Sequence, residues 1–271
     1  MGKLMKYELF RRSKLLISIL IVLVFMEGAA VYGLYRGGEW LILFFIMLMG
    51  MAFAAFLVPL LDAVVNYYSD FKNTHGYMLF LTPQSGYSLI GSKAVFALIE
   101  LLSALALVAV FYTANFHLAG AFGYTDELAL LRTVFQQIPQ MLGTSTAGIV
   151  SLGVTSGILQ FFNTIMLAIF AVTLTKTLLS QKSFNWLIAL LMYFALAMGI
   201  ETVNGLVLTG FGFVTDMISF SQDASAVTLE LGDEIKLDII KYILVSMGLY
   251  VIWIGAAFTG SGMLLNKRVD L

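Results

Sequence analysis

Six stretches of the chain are almost wholly apolar, and its polar residues gather in the segments between them. Leu15–Tyr35 carries one charge, Glu27, and Leu41–Leu61 carries none. Ala94–Phe116 holds one acid, Glu100, and Gly148–Thr175 is uncharged for 28 residues. Asn185–Leu208 includes Glu201, and Tyr242–Asn266 is uncharged. Crossing the hydrocarbon takes about 20 apolar residues at about 1.5 Å of rise each. Lipid offers the backbone no water to bond with, so each run is expected to be a continuous helix. The pattern predicts an all-α polytopic membrane protein with six transmembrane helices, a single transmembrane domain over residues 1–271. The first run follows a basic segment but is long for a signal peptide, and Leu41 opens another span at once, so it is expected to be retained.

Charge orients the bundle. With the N-terminus inside, eleven basic residues face the cytoplasm: Lys3, Lys6, Arg11, Arg12, Lys14, Lys72, Lys93, Lys176, Lys182, Lys267 and Arg268. Four remain outside: Arg36, Arg132, Lys236 and Lys241. The opposite orientation inverts the count, against the positive-inside rule, so both termini are expected in the cytoplasm. Trp40, Tyr112, Trp186 and Tyr242 fall near the expected interfaces, where amphipathic rings belong. Trp253 does not, and packing is its ordinary explanation.

The segments between the spans differ in character. Arg36–Trp40 is so short that the first two helices must form an antiparallel hairpin. The cytoplasmic loop 62–93 scatters aromatic residues among polar ones; Asn66–Lys72 suits a short helix, and Tyr77–Leu81 suits the interface. Pro83 ends the latter, and Ser85 is placed to cap the next helix. The loop reads either as an amphipathic connection resting on head groups or as a docking element. In the docking case Tyr67, Tyr68, Phe71, Tyr77 and Phe80 are the apolar anchors, with Asp70 and Lys72 at the rim. Residues 1–14 are basic and partly amphipathic, fit either for an anionic leaflet or for topology signalling alone. The extracytoplasmic segments 117–147 and 211–237 are too small for a packed domain. A surface helix is expected from Leu128 to near Pro139, and strand-like alternation occupies Ala226–Leu231.

Composition excludes other classes. The chain is 60% hydrophobic and 11% charged with mean hydropathy +0.94, whereas a soluble domain carries about 25% charge and about 45–50% apolar residues. So few charges cannot cover a water-soluble fold or grip a polyanion, which excludes a nucleic-acid binder. Without cysteine there is no thiol nucleophile or thiolate metal site. Gly86–Lys93 imitates a phosphate loop, yet Ser92 stands where the lysine must follow the second glycine, so it is a decoy. His75 and His117 fall on opposite sides of the membrane and cannot share a metal. No serine has both the flanking glycines of a nucleophile elbow and a base. Neither catalysis nor a bound cofactor is expected.

Three acids remain inside the spans. A charged acid at a helix centre costs about 2.5–3.5 kcal/mol, so each must face protein or water, or be protonated. Glu27, Glu100 and Glu201 lie at different depths, which argues against a catalytic pair. Glu27 and Glu201 either line a route or are structural acids bonded between helices. Glu100 is expected to snorkel or to pair with Lys93, two turns before it on the same face. Gly143, Gly148, Gly153 and Gly157, with Ser151, Thr155 and Ser156, give the fourth span a run of small residues. Gly50 with Ala54, and Gly255 with Thr259, give further small pairs that permit close helix contact.

The basic lead-in Lys6-Tyr7-Glu8-Leu9, the six spans and the segment GYMLFLTPQSGYSLIGSK (Gly76–Lys93) together resemble the ABC-2 type permease family, the membrane subunits of bacterial ABC exporters. The resemblance implies the ABC-2 (type V-like) exporter fold in the plasma membrane. It implies that loop 62–93 is a coupling loop docking on a separate cytosolic ABC ATPase dimer, which binds ATP and Mg. The N-terminal segment would be an interfacial helix, and a second permease subunit, identical or not, would help enclose the route. The largely apolar interior favours a hydrophobic or amphipathic cargo: a peptide antibiotic, a lipid-like molecule or a drug. Two other classes compete, a proton-coupled secondary transporter using Glu27 or Glu201 and a non-transporting immunity or assembly protein.

Overall fold

The computed structural model describes residues 2–72, 85–124, 145–178, 186–211 and 233–269. The described residues are helical, without a strand: α1 (Gly2–Arg36), a short 3-10 turn (Gly38–Trp40), α2 (Leu41–Lys72), α3 (Gly86–Ala121), α4 (Thr146–Leu178), α5 (Trp186–Gly210) and α6 (Asp233–Val269). All six helices contain a stretch long and apolar enough to cross a membrane. The chain is a multi-pass membrane protein by that measure.

Several helices outrun the apolar runs that announced them. At 35 residues, α1 is roughly 50 Å long, and residues 2–14 continue the spanning helix without a break instead of forming a separate element. α2 absorbs Asn66–Lys72, so that stretch is the end of a spanning helix and not a short one of its own. Pro59 sits inside α2, where it removes one ladder donor, a loss spanning helices tolerate when neighbours satisfy the freed carbonyl. α3 starts at Gly86, and His117 belongs to it rather than to the following connection. Ser85 is its N-cap, with extended backbone and a side chain that accepts from the Ser88 N–H at 3.3 Å. Tyr77, Phe80, Pro83, the helix expected from Leu128 and the alternation in Ala226–Leu231 lie outside the described residues.

Two compact units make up the chain. One comprises Met1–Leu130 with Phe258–Leu271, and the other Leu131–Ala257. In the first, α1, α2 and α3 pack together around Leu23, Met51, Ala55, Ala104 and Val108, and again around Ala30, Leu34, Phe44 and Ala119. Lipid tails are as apolar as leucine, so close packing holds spanning helices together, and the alanines here let the backbones approach. The α1–α2 hairpin depends on glycine twice. A Cβ at Gly33 would stand 2.8 Å from the Trp40 carbonyl oxygen, and Gly37 turns the chain at φ 65°. Tyr112 also reaches across to donate to the Leu48 carbonyl at 2.8 Å.

In the second unit α4 packs against α5. The half of α4 around Ile165–Val172 is buried, while Val150 and Val154 at its other end are exposed. Trp253 of α6 donates its indole N–H to Asn204 Oδ1 of α5 at 2.8 Å, so it is a bonded residue and not simply a packed one. Gly153 and Gly157 of α4 do not mark a close contact among the described residues, since a Cβ at either would meet nothing within 4 Å, and the same holds for Gly255; Gly143 lies outside the described residues. Gly50 does, since its Cβ would lie 2.6 Å from Met26 Cε on α1.

Candidate functional site

The ends of α2 and α3 flank the segment expected to dock a partner, and they are joined by buried charge. Asp70 near the end of α2 and Lys93 in α3 form an ion pair, and their side chains are only 2% and 1% exposed. Burying either ion alone is expensive, and removing one partner strands the other, so the pair locks the register of these two helix ends. Tyr67, one turn earlier, is fully buried and meets Phe71 edge-on at 5.1 Å. Asn66 donates to Asp62 Oδ1 at 2.6 Å. Ser92, also buried, donates to the Leu89 carbonyl at 2.8 Å.

Two expectations change here. Tyr67 cannot be an apolar anchor for a partner, and Asp70 cannot be a rim charge, because both are covered by their own unit. An i, i+3 relation places Asp70 on the same side of α2 as Tyr67, facing α3. Tyr68 and Phe71 are half-buried, and Lys72 closes α2. Lys93 pairs with Asp70, while Glu100 is 3% exposed and therefore does not snorkel.

The start of α3 is gripped from a second side by the end of α6. Helix N-termini leave N–H groups without intrahelical partners, and Asn266 Oδ1 accepts from the Gly86 N–H at 2.8 Å. Tyr87 stacks obliquely on Phe258 at 5.7 Å. Glycines make this closeness possible: a Cβ at Gly86 would lie 2.7 Å from Leu265 Cβ, and one at Gly262 would collide with the Tyr87 ring. A short root thus joins α2, α3 and the end of α6. Along the α1–α2 side of the same unit runs an apolar cavity of about 390 Å³, lined by residues such as Val22, Ala54 and Val58, with Asp62 and Asn66 at one end.

The intramembrane acids separate into different roles. Glu27 accepts from Asn115 Nδ2 at 2.8 Å, bonding α1 to α3. Asn115 is 1% exposed, and its Oδ1 has no hydrogen-bond partner among the described residues. Glu201 is exposed on α5. No three His, Cys, Asp or Glu among the described residues are grouped so as to hold a metal. Sequence reasoning did not find Asn115, Asn266, Gly262 or the Asp70–Lys93 pairing. A polar residue in an apolar run was the available signal for Asn115, and nothing local marks the others.

Comparison with protein families, with characterised proteins and with solved structures gives no match for this chain.

Proposed function

We propose that the chain is the transmembrane permease subunit of an ATP-driven exporter of the ABC-2 type. It resides in the plasma membrane with both termini in the cytoplasm and moves a hydrophobic or amphipathic substrate. ATP and Mg bind a separate cytosolic ATPase dimer, and a second permease subunit completes the route. The observation that carries this reading is the root at the start of α3. The connection 73–84 leaves and returns through helix ends fixed by the Asp70–Lys93 pair and by the Gly86–Asn266 bond. A connection rooted in this way passes a push from a docked partner into α2, α3 and α6 together, where a loosely attached loop would absorb it. The apolar cavity beside α1 and α2 suits an apolar cargo.

In this mechanism nucleotide closes the ATPase dimer, the coupling segment moves, and the root transmits the motion to the spans. Tyr77 and Phe80 make contact with the partner, while Tyr67, Asp70 and Lys93 act from inside. Replacing Tyr77 and Phe80 together with Ala is expected to cost about 2 kcal/mol for each, lowering complex occupancy roughly a thousandfold at fixed concentration. The measurement is co-purification of the ATPase and ATP-driven flux in proteoliposomes, set against folded yield. Unchanged association and flux in the double variant would remove the reading.

A further inference from the structure

The connection between α1 and α2 carries two opposite charges that leave each other alone. Arg36 is the last residue of α1, Glu39 lies in the 3-10 turn, and both are exposed. Gly37 and Gly38, at φ 65° and 55°, turn the chain between them. Among the described residues neither side chain joins an ion pair. Arg36 instead leans back along its own helix. Its Nε donates to the Tyr32 hydroxyl at 3.1 Å, and the guanidinium carbon stands 5.8 Å from the centre of the Tyr32 ring. Tyr32 in turn meets Trp40 edge-on at 5.8 Å.

An arginine at the end of a span ordinarily extends toward water. A helix tilts its side chains toward its own N-terminus, which for Arg36 is the hydrocarbon side, and the Tyr32 bond holds the guanidinium there. Its terminal nitrogens donate to nothing among the described residues. A guanidinium fixed through Nε presents those nitrogens as a fork, the geometry that grips a phosphate bidentately. The position says what covers this fork. Arg36 closes one candidate span, and Gly38 opens the next. Trp40 is exposed, and so is Tyr35, which meets Phe122 of α3 at 6.0 Å. Tyrosine and tryptophan collect at the level of the head groups, and the anion of that layer is the lipid phosphate.

Charge complementarity narrows the lipid. With a phosphate on Arg36, the carboxylate of Glu39 faces the remainder of the head group. A primary ammonium there is opposite in charge and donates hydrogen bonds to the carboxylate. A trimethylammonium cannot donate, and a glycerol head carries no positive charge. We propose that Arg36 and Glu39, with the Tyr32 and Trp40 rings, bind the head group of a zwitterionic phospholipid that ends in a primary ammonium, a phosphatidylethanolamine. The site needs only the membrane and stands apart from the transport reading.

The test offers the full chain in detergent phosphatidylethanolamine, phosphatidylcholine and phosphatidylglycerol with identical tails, and native mass spectrometry counts the lipid retained. The ethanolamine lipid is expected to bind about tenfold more tightly than the choline lipid. Arg36→Gln removes the fork and weakens all three by about tenfold or more. Glu39→Gln brings the ethanolamine lipid down to the choline lipid and leaves the latter unchanged. Tyr32→Phe keeps the ring, frees the guanidinium and weakens all three by about threefold. Equal retention of the ethanolamine and choline lipids by wild type would overturn the inference, and so would wild-type retention in Arg36→Gln. Displacement of the lipid by an equal concentration of glycerophosphoethanolamine or inorganic phosphate would assign the turn to a soluble phosphate and overturn it too. A change of oligomeric state in Arg36→Gln with lipid retention intact would do the same, since a second copy of the chain would then cover the turn.

Discussion

Asn115 shows how much one side chain can fix in an apolar interior. Its amide gives Glu27 a partner 88 residues away in sequence, in a medium where water cannot substitute. Asn115→Leu fills similar space and leaves the Glu27 carboxyl without that donor, at an expected cost of about 1–3 kcal/mol. Glu27→Gln keeps an acceptor for Asn115 Nδ2, so it should unfold no earlier than wild type. Thermal unfolding in detergent distinguishes the two variants. An unchanged midpoint for Asn115→Leu would mean that the bond contributes nothing to holding α1 on α3.

At the scale of elements, α2 and α3 are longer than their apolar runs because their facing polar ends are paired instead of frayed. α3 gains residues 86–93 through the Ser85 cap, the Asn266 side-chain Oδ1 and the buried Lys93–Asp70 pair. Breaking that pair on one side, by Asp70→Asn or Lys93→Met, strands a buried charge or its counterpart, with an expected loss of about 3–5 kcal/mol. Removing both charges together should restore most of the stability, because neither ion is then left uncompensated. Folded yield and melting temperature of the two single variants and the double variant give the coupling. If the double variant loses the sum of the two single losses, the helix ends are not held by this pair.

For the whole molecule, six spans and an eleven-to-four division of basic residues define a topology that can be tested directly. The chain has no cysteine, so single cysteines at 38, 180, 225 and the C-terminus report independently. Positions 180 and the C-terminus should label only from the cytoplasm, and 38 and 225 only from outside. Labelling of 225 solely from the cytoplasm would invert the orientation and place the segment 73–84 out of reach of a cytosolic ATPase.

The sequence alone determined the number and approximate place of the helices, because in lipid a helix must satisfy its own backbone and an apolar run of sufficient length declares it. It also determined the Ser85 cap, a bond within four residues, and the tight α1–α2 hairpin. Helix ends escaped it, since they depend on partners such as Asn266 that lie far away in the chain. The tertiary structure decided which polar residues are inside. Tyr67 and Asp70 look like surface residues of a polar loop, yet both are buried and Asp70 pairs with Lys93 of α3, whereas Glu201 sits in an apolar run and emerges exposed. It also decided which glycines matter, Gly86 and Gly262 at a close approach rather than Gly153 and Gly157 of α4. Burial and long-range pairing depend on which helix faces which, and period and composition within one span do not encode that.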